Sequence, residues 1–250
     1  MKAMILCAGL GTRLRPLTND RPKALVTVAG RTLLELALSR LRSFGVSEAI
    51  VNTHHYSEMI VDYLKARDNF GMRIEVSREE VLLDTGGGLK KAAPFFLEAG
   101  GSLQEPFILH NVDVISTIDL GRMIRFHTEH NALATLAVQD RATSRHLLFD
   151  EHGQLCGRRT GLDGKEELVR SAPEAQALAF CGIHVLSPHI FAKMEEEGAF
   201  SIIAAYMRLA AQGEKIVAFR ADECYWRDLG QPENVMQAAR DLGSGKNSGT

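Results

Sequence analysis

Between Ile5 and Leu25 the chain reads ILCAGLGTRLRPLTNDRPKAL, an apolar run followed by two glycines, three arginines, two prolines and a lysine. Gly9 and Gly11 can adopt left-handed backbone angles and let N–H groups approach an anion, while Arg13 and Arg15 add fixed charge and forked donors. A turn of this kind after a parallel strand is where open α/β sheets hold ligands, so phosphate chemistry is the first expectation. Two familiar phosphate loops do not fit. The spacing Gly, four residues, Gly-Lys-Ser/Thr is absent, and Leu14 stands where a Gly-x-Gly-x-x-Gly fingerprint needs its third glycine. Pro16 and Pro22 oppose a long helix, which predicts a loop of about a dozen residues turning Arg13, Arg15 and Lys23 toward one place. A surface loop with solvated arginines is the plain alternative.

Two further stretches carry groups suited to such chemistry. LLDTGGGLKKA, Leu82 to Ala92, sets Gly86, Gly87 and Gly88 ahead of a helical pattern, and by itself reads as a flexible helix cap with Thr85 as N-cap. FILHNVDVI, Phe107 to Ile115, is an apolar strand ending in Asn111 and Asp113. An isolated aspartate there can simply cap the next turn. Phosphoryl transfer, however, needs a divalent ion, and magnesium takes one or two carboxylates besides phosphate oxygens and water.

The opening string resembles the signature of the nucleotidyltransferases that make nucleotide sugars, Gly-x-Gly-x-Arg-Leu-x-Pro-Leu-Thr followed by Pro-Lys. It is matched by Gly9, Gly11, Thr12, Arg13, Leu14, Pro16, Leu17, Thr18, Pro22 and Lys23. The resemblance implies an enzyme that joins a nucleoside triphosphate to a sugar-1-phosphate and expels pyrophosphate, a reaction carried by positioning and cations. It implies that Arg13 holds the triphosphate and leaving group, that Lys23 neutralises the approaching phosphates, and that Ala8, Gly9, Gly11, Thr12 and Asn111 bind the nucleotide. Gly86, Gly87 and Gly88 would lie against base and ribose. CYWRDLGQPENV resembles the family's Trp-x-Asp-x-Gly-x-Pro-Glu motif through Trp226, Asp228, Gly230, Pro232 and Glu233, so Asp113 and Asp228 would bracket one Mg2+. FCGIHVLSP, Phe180 to Pro188, resembles the strand whose glycine, here Gly182, lies beside the hexose.

Two departures stand out. Val112 replaces the usual glycine before Asp113, and no Glu-Lys-Pro precedes the Gly182 strand, so that which residue, Lys165, Arg170 or neither, takes the place of its lysine stays open. The form Asp-Thr-Gly-Gly-Gly-Leu looks closest to uridylyltransferases acting on N-acetylmuramate-1-phosphate. Guanylyl transfer to mannose- or heptose-1-phosphate stays open, as does transfer from CTP or dTTP to another acceptor. A non-catalytic nucleotide-sugar sensor would be expected to lack Arg13, Lys23 or the aspartates, and a nicotinamide oxidoreductase is opposed by the missing glycine and the prolines.

Positioning these groups falls to apolar strands that alternate with stretches of helical period: strands at 3–7, 49–53, 73–77, 107–110 and 134–139, helices at 32–44, 57–66, 88–97 and 120–130. The alternation predicts an α/β, doubly wound, Rossmann-like fold on a mixed, mainly parallel sheet. Short antiparallel strands after Arg145 predict a small β-rich lobe at about 140–185, which the resemblance makes the sugar-binding lobe of one nucleotidyltransferase domain over 1–242. The tail 243–250, GSGKNSGT, is expected to be disordered.

Net charge is −2 from 29 basic and 31 acidic residues, which gives no footprint for nucleic acid. No apolar run approaches the roughly 20 residues of a membrane span, and MKAMIL, interrupted by Gly9, Gly11 and Arg13, is not expected to be a signal peptide. Cys7, Cys156, Cys181 and Cys224 are scattered without a CxxC pair, so a reducing cytoplasm is expected. The resemblance makes nucleoside triphosphate and sugar-1-phosphate the expected partners, with a homo-oligomer left open. His54 and His55 read as sheet-end packing, and His127 with His130 as a solvated helical face.

Overall fold

The computed structural model describes residues 1–98, 105–161 and 164–243; of the tail expected to be disordered over 243–250, Gly243 instead ends a helix and 244–250 lie outside the described residues. In chain order the strands are β1 (Lys2–Leu6), β2 (Thr27–Val28), β3 (Arg31–Thr32), β4 (Glu48–Thr53), β5 (Arg73–Arg78), β6 (Phe107–Asn111), β7 (Val114–Ser116), β8 (Ala134–Gln139), β9 (Arg145–Phe149), β10 (Leu155–Thr160), β11 (Lys165–Leu168), β12 (Gln176–Leu186), β13 (Ile216–Arg220) and β14 (Trp226–Asp228). The helices are α1 (Leu33–Ser43), α2 (Ser57–Ala66), α3 (Asp84–Lys91), α4 (Ala93–Phe96), α5 (Leu120–Glu129), α6 (Ile202–Ala211) and α7 (Pro232–Gly243). The fold is α/β on a mixed, mainly parallel central sheet with flanking helices, as the alternation predicts.

Two compact units emerge. The first comprises Met1–Asp84, Leu109–Ile118 and Cys224–Thr250; the second comprises Thr85–Ile108 and Asp119–Glu223. In the first unit β1, β4 and β5 run parallel, with Ile5 opposite Val51 and Val51 opposite Val76. Ala3, Met4 and Ile5 are wholly buried, the continuous apolar run of a strand covered on both faces. Thr32 caps α1: its hydroxyl accepts from the Glu35 N–H at 3.1 Å, and Leu34, Ala37, Leu38 and Leu41 turn one stripe into the core. Ala29 and Gly30, both at positive φ, form the two-residue turn between β2 and β3. β7 and β14 form an antiparallel pair that places Asp228 opposite Val114.

In the second unit β8, buried along its length, lies between antiparallel β12 and parallel β13. β9, β10 and β11 form an antiparallel meander. The start of β12 pairs with β9 and its end with β8, and the pairing with β8 shifts register between Phe180 and His184. Gly182, at φ 72, supplies the left-handed residue that this irregularity contains.

Two expectations are corrected. The helix predicted over 88–97 begins earlier, because the glycines lie inside α3, and it is interrupted before α4, which carries Pro94 in its first turn. His127 does not face solvent: it is 4% exposed, its Nδ1 lies 2.9 Å from the Thr135 hydroxyl, and burial pushes its pKa down to about 4. His130 is exposed and stacks on Phe126 with ring centroids 3.9 Å apart.

Candidate active site

The first unit gathers groups from widely separated stretches of sequence. The loop leaving β1 folds into short 3-10 turns at Thr12–Leu14 and Lys23–Leu25. Leu14 is its buried anchor, 1% exposed, which leaves Thr12 and Arg13 at the surface. Gly11 needs to be glycine on two counts. Its φ is 64, and a Cβ there would stand 3.1 Å from the Thr18 methyl and 3.2 Å from the Lys23 Cβ. The Thr18 hydroxyl donates to the Gly11 carbonyl at 2.8 Å, so Thr18 closes the loop on itself and sets Lys23 against Gly11.

Lys23 forms an ion pair and hydrogen bond with Asp113 Oδ2, the two side chains being 15% and 10% exposed. Asp113 lies between β6 and β7, where its carbonyl accepts from the Leu229 N–H at 2.7 Å. That bond extends the β7–β14 ladder, so strand pairing brings Asp113 and Asp228 together across more than a hundred residues. Asp228 Oδ1 accepts from the Gly230 N–H at 2.5 Å. A Cβ at Gly230 would come within 2.7 Å of that oxygen and 2.8 Å of Arg13 Nη2. Burial, then the neighbouring Asp113 carboxylate, raises the Asp228 pKa above the usual carboxylate value, while the Gly230 N–H, then Lys23 and Arg13, pull it back. Two hard oxygen donors that repel each other are a donor set suited to a divalent cation such as magnesium.

The remaining candidates fall into place separately. Ala8 is buried, Gly9 is exposed, and Asn111 is half-buried at the end of β6. Val112, in the usual glycine position, is buried and its N–H reaches the Leu6 carbonyl at 3.3 Å. Burial pushes the Cys7 thiol far up, away from reactivity.

In the second unit, Gly86, Gly87 and Gly88 are buried in α3. The Gly86 and Gly87 N–H groups donate to the Phe200 carbonyl at 2.9 and 3.3 Å, and a Cβ on Gly86 would stand 2.3 Å from the Phe200 ring. Packing alone therefore requires glycine at 86. Thr85 accepts from the Ile202 N–H at 2.9 Å, where the sequence suggested a cap for its own helix. Lys165 is exposed on β11 and Arg170 donates to Gln154 at 3.1 Å.

The model of the family described as Nucleotidyl transferase matches residues 2–155, more than half of the chain, and includes the loop, Lys23 and Asp113. The chain belongs to the nucleotidyl transferase family. It is 35% identical over 251 residues to the N-acetylmuramate alpha-1-phosphate uridylyltransferase of Caulobacter vibrioides, with 96% of each chain covered. It is 30% identical to mannose-1-phosphate guanylyltransferase 1 of Arabidopsis thaliana, covering 96% of this chain but 64% of that protein. Among solved structures, HddC from Yersinia pseudotuberculosis complexed with GMP-PN shares the fold, with a TM-score of 0.75, 22% identity, and coverage of 96% and 99%. The matches to the two curated relatives each cover 96% of this chain and so reach beyond residue 155 to include Asp228.

Among the described residues no group of three or more His, Cys, Asp or Glu side chains could hold a metal. Asp113 and Asp228 are two neighbouring carboxylates, a number that magnesium accepts when phosphates complete its shell. Residue patterns did not single out Thr18 as the loop's latch, nor the polar side chains buried beneath the loop. A hydroxyl seven residues after a glycine in a proline-bounded loop was the available signal.

Proposed function

We propose that this chain condenses UTP with N-acetylmuramate-1-phosphate, or a related hexose-1-phosphate, to give the UDP-sugar and pyrophosphate. The observation that carries the reading is the arrangement in the first unit: Lys23 paired with Asp113, Asp228 tied to Asp113 by strand pairing, and Arg13 beside Gly230. It is the set an in-line phosphoryl transfer needs, cations for phosphate oxygens next to carboxylates for a metal. The relative of closely similar length, covered at 96%, supports uridylyl transfer to N-acetylmuramate-1-phosphate.

In the proposed reaction a phosphate oxygen of the sugar-1-phosphate attacks the α-phosphorus, forming one P–O bond as the bond to pyrophosphate breaks. Arg13, exposed at the loop tip, holds the β- and γ-phosphates and the departing pyrophosphate. Lys23, released from Asp113 as phosphate enters, neutralises the two reacting phosphates. Ala8, Gly9, Gly11, Thr12 and Asn111 line the nucleotide. Asp113 and Asp228 would hold Mg2+, which when bound supplies Lewis-acid neutralisation of phosphate oxygens. Base and ribose contacts from Gly86 to Gly88 and hexose contact from Gly182 belong to the same proposal. Free cysteines at all four positions fit a reducing, cytoplasmic setting.

The test is pyrophosphate release with magnesium, across UTP, GTP, CTP, dTTP and ATP crossed with N-acetylmuramate-, mannose-, glucose- and heptose-1-phosphate. UTP with N-acetylmuramate-1-phosphate is the expected productive pair. Turnover with GTP and mannose-1-phosphate instead would favour the second reading, which the Arabidopsis thaliana relative supports.

A further inference from the structure

Beneath the loop, at the carboxyl ends of β1, β4 and β5, lies a buried polar relay that no part of the proposed chemistry uses. Asn52, 2% exposed, accepts from the Cys7 N–H through Oδ1 at 2.7 Å and donates through Nδ2 to Glu79 Oε1 at 2.7 Å. Glu79, 4% exposed, accepts through its other oxygen from the Leu83 N–H at 2.9 Å. Its own backbone is held on both sides, its N–H donating to the Thr53 carbonyl at 2.7 Å and its carbonyl lying 2.8 Å from His54 Nδ1.

A buried carboxylate is an expensive way to tie strand ends, since neutral groups of similar shape cost less to desolvate. What it supplies is two acceptor oxygens on one rigid group. One reaches, by way of Asn52, the amide at the root of the loop holding Gly9, Gly11 and Arg13. The other reaches Leu83, three residues ahead of Gly86 in the chain. The proposed function assigns the nucleotide to that loop and to the glycines that follow Leu83.

We infer that Glu79 and Asn52 are positioning residues for nucleotide binding: a single carboxylate holds in register the root of the phosphate-binding loop and the segment that leads into the glycine-rich helix. The inference rests on the proposed reading of the site, and it makes a demand on polarity rather than on shape. Along the relay Cys7 N–H, Asn52, Glu79 and Leu83 N–H, every donor meets an acceptor. Glu79→Gln turns an amide nitrogen toward one of its two donors, the Asn52 amide or the Leu83 N–H, and Asn52→Asp turns one carboxylate oxygen toward another. The double variant Asn52→Asp, Glu79→Gln exchanges amide and carboxylate and restores every pairing with the atom count unchanged.

The experiment measures steady-state kinetics with UTP as the varied substrate, UTP binding by calorimetry, and the thermal midpoint, for the wild type, both single variants and the exchange variant. Each single variant is expected to raise the KM and Kd for UTP by about tenfold, the scale of one mispaired buried hydrogen bond, with kcat changed much less. The exchange variant is expected to return both to near the wild-type values. Single variants that lose thermal stability with an unchanged KM and Kd for UTP would overturn the inference, because the relay would then serve folding alone. So would an exchange variant whose UTP affinity is as weak as the single variants' affinity, or which fails to fold. If the singles do not fold, wild-type affinity in the exchange variant still supports the inference. Wild-type protein that binds UTP yet releases no pyrophosphate would sink the proposed reaction instead, and the calorimetric comparison would go on testing the relay.

Discussion

Lys23 illustrates how a single side chain changes meaning once its surroundings are known. As a loop lysine in the sequence it is expected to contribute to turnover and little to folding. In the structure it is mostly buried and paired with Asp113, so its removal leaves a desolvated carboxylate without its cation. Lys23→Ala should therefore lower pyrophosphate release by at least about a hundredfold and also cost about 3 kcal/mol in urea unfolding. Adding Asp113→Asn should recover much of that stability and none of the activity. Recovery of activity in the double variant would contradict the role given to both residues. Gly230→Ala makes a complementary prediction. The new methyl group meets Asp228 Oδ1 and the tip of Arg13, and because an arginine tip moves easily the cost falls on geometry. A loss of turnover of tenfold or more should accompany destabilisation of only about 1 kcal/mol, read from kinetics and melting on the same preparation.

At the scale of elements, β12 and α5 carry the sharpest expectations. Gly182 at φ 72 lies in the irregular stretch of β12, and Gly182→Ala should cost roughly 1–2 kcal/mol by urea unfolding without any ligand present. An unchanged midpoint would mean that the strand finds another path through the irregularity. For α5, burial holds His127 at about 4, below its unfolded value of 6.5. The unfolded chain then takes up a proton that the folded chain refuses, so stability present above pH 6.5 is lost as pH falls toward 4, by up to about 3 kcal/mol. His110, also held at about 4 chiefly by burial, adds a loss of the same sign. His127→Asn should make the fall between pH 6.5 and 4 shallower, and an undiminished slope would remove His127 as a cause. The sequence showed these elements better than it showed their faces. A period near 3.6 locates α5, but whether His127 or a neighbour points inward depends on which side β8 packs.

For the whole molecule, the proposed function demands linkage between ligand, metal and fold. A nucleotide that binds the folded chain alone stabilises it by mass action, by roughly 3 kcal/mol at a hundred times its Kd. UTP with magnesium should raise the melting midpoint more than UTP alone, and chelation should abolish turnover while leaving the free protein's midpoint nearly unchanged. A midpoint indifferent to UTP at high concentration would tell against a nucleotide site of any kind.

By itself the sequence determined the α/β class, because strand and helix periods are local, and it determined the chemistry of the loop, because glycine, proline and arginine each restrict what a segment can do. The motif from Gly9 to Lys23 was sufficient to indicate the family. Only the tertiary structure decided what lies next to what. Asp113 and Asp228 meet because β7 pairs with β14, and Gly86 must be glycine because Phe200 packs on it. Glu79 and Asn52 become a relay because three parallel strands end side by side. Such neighbours are set by packing and strand register, which depend on the whole chain at once and leave no period in any one stretch of it.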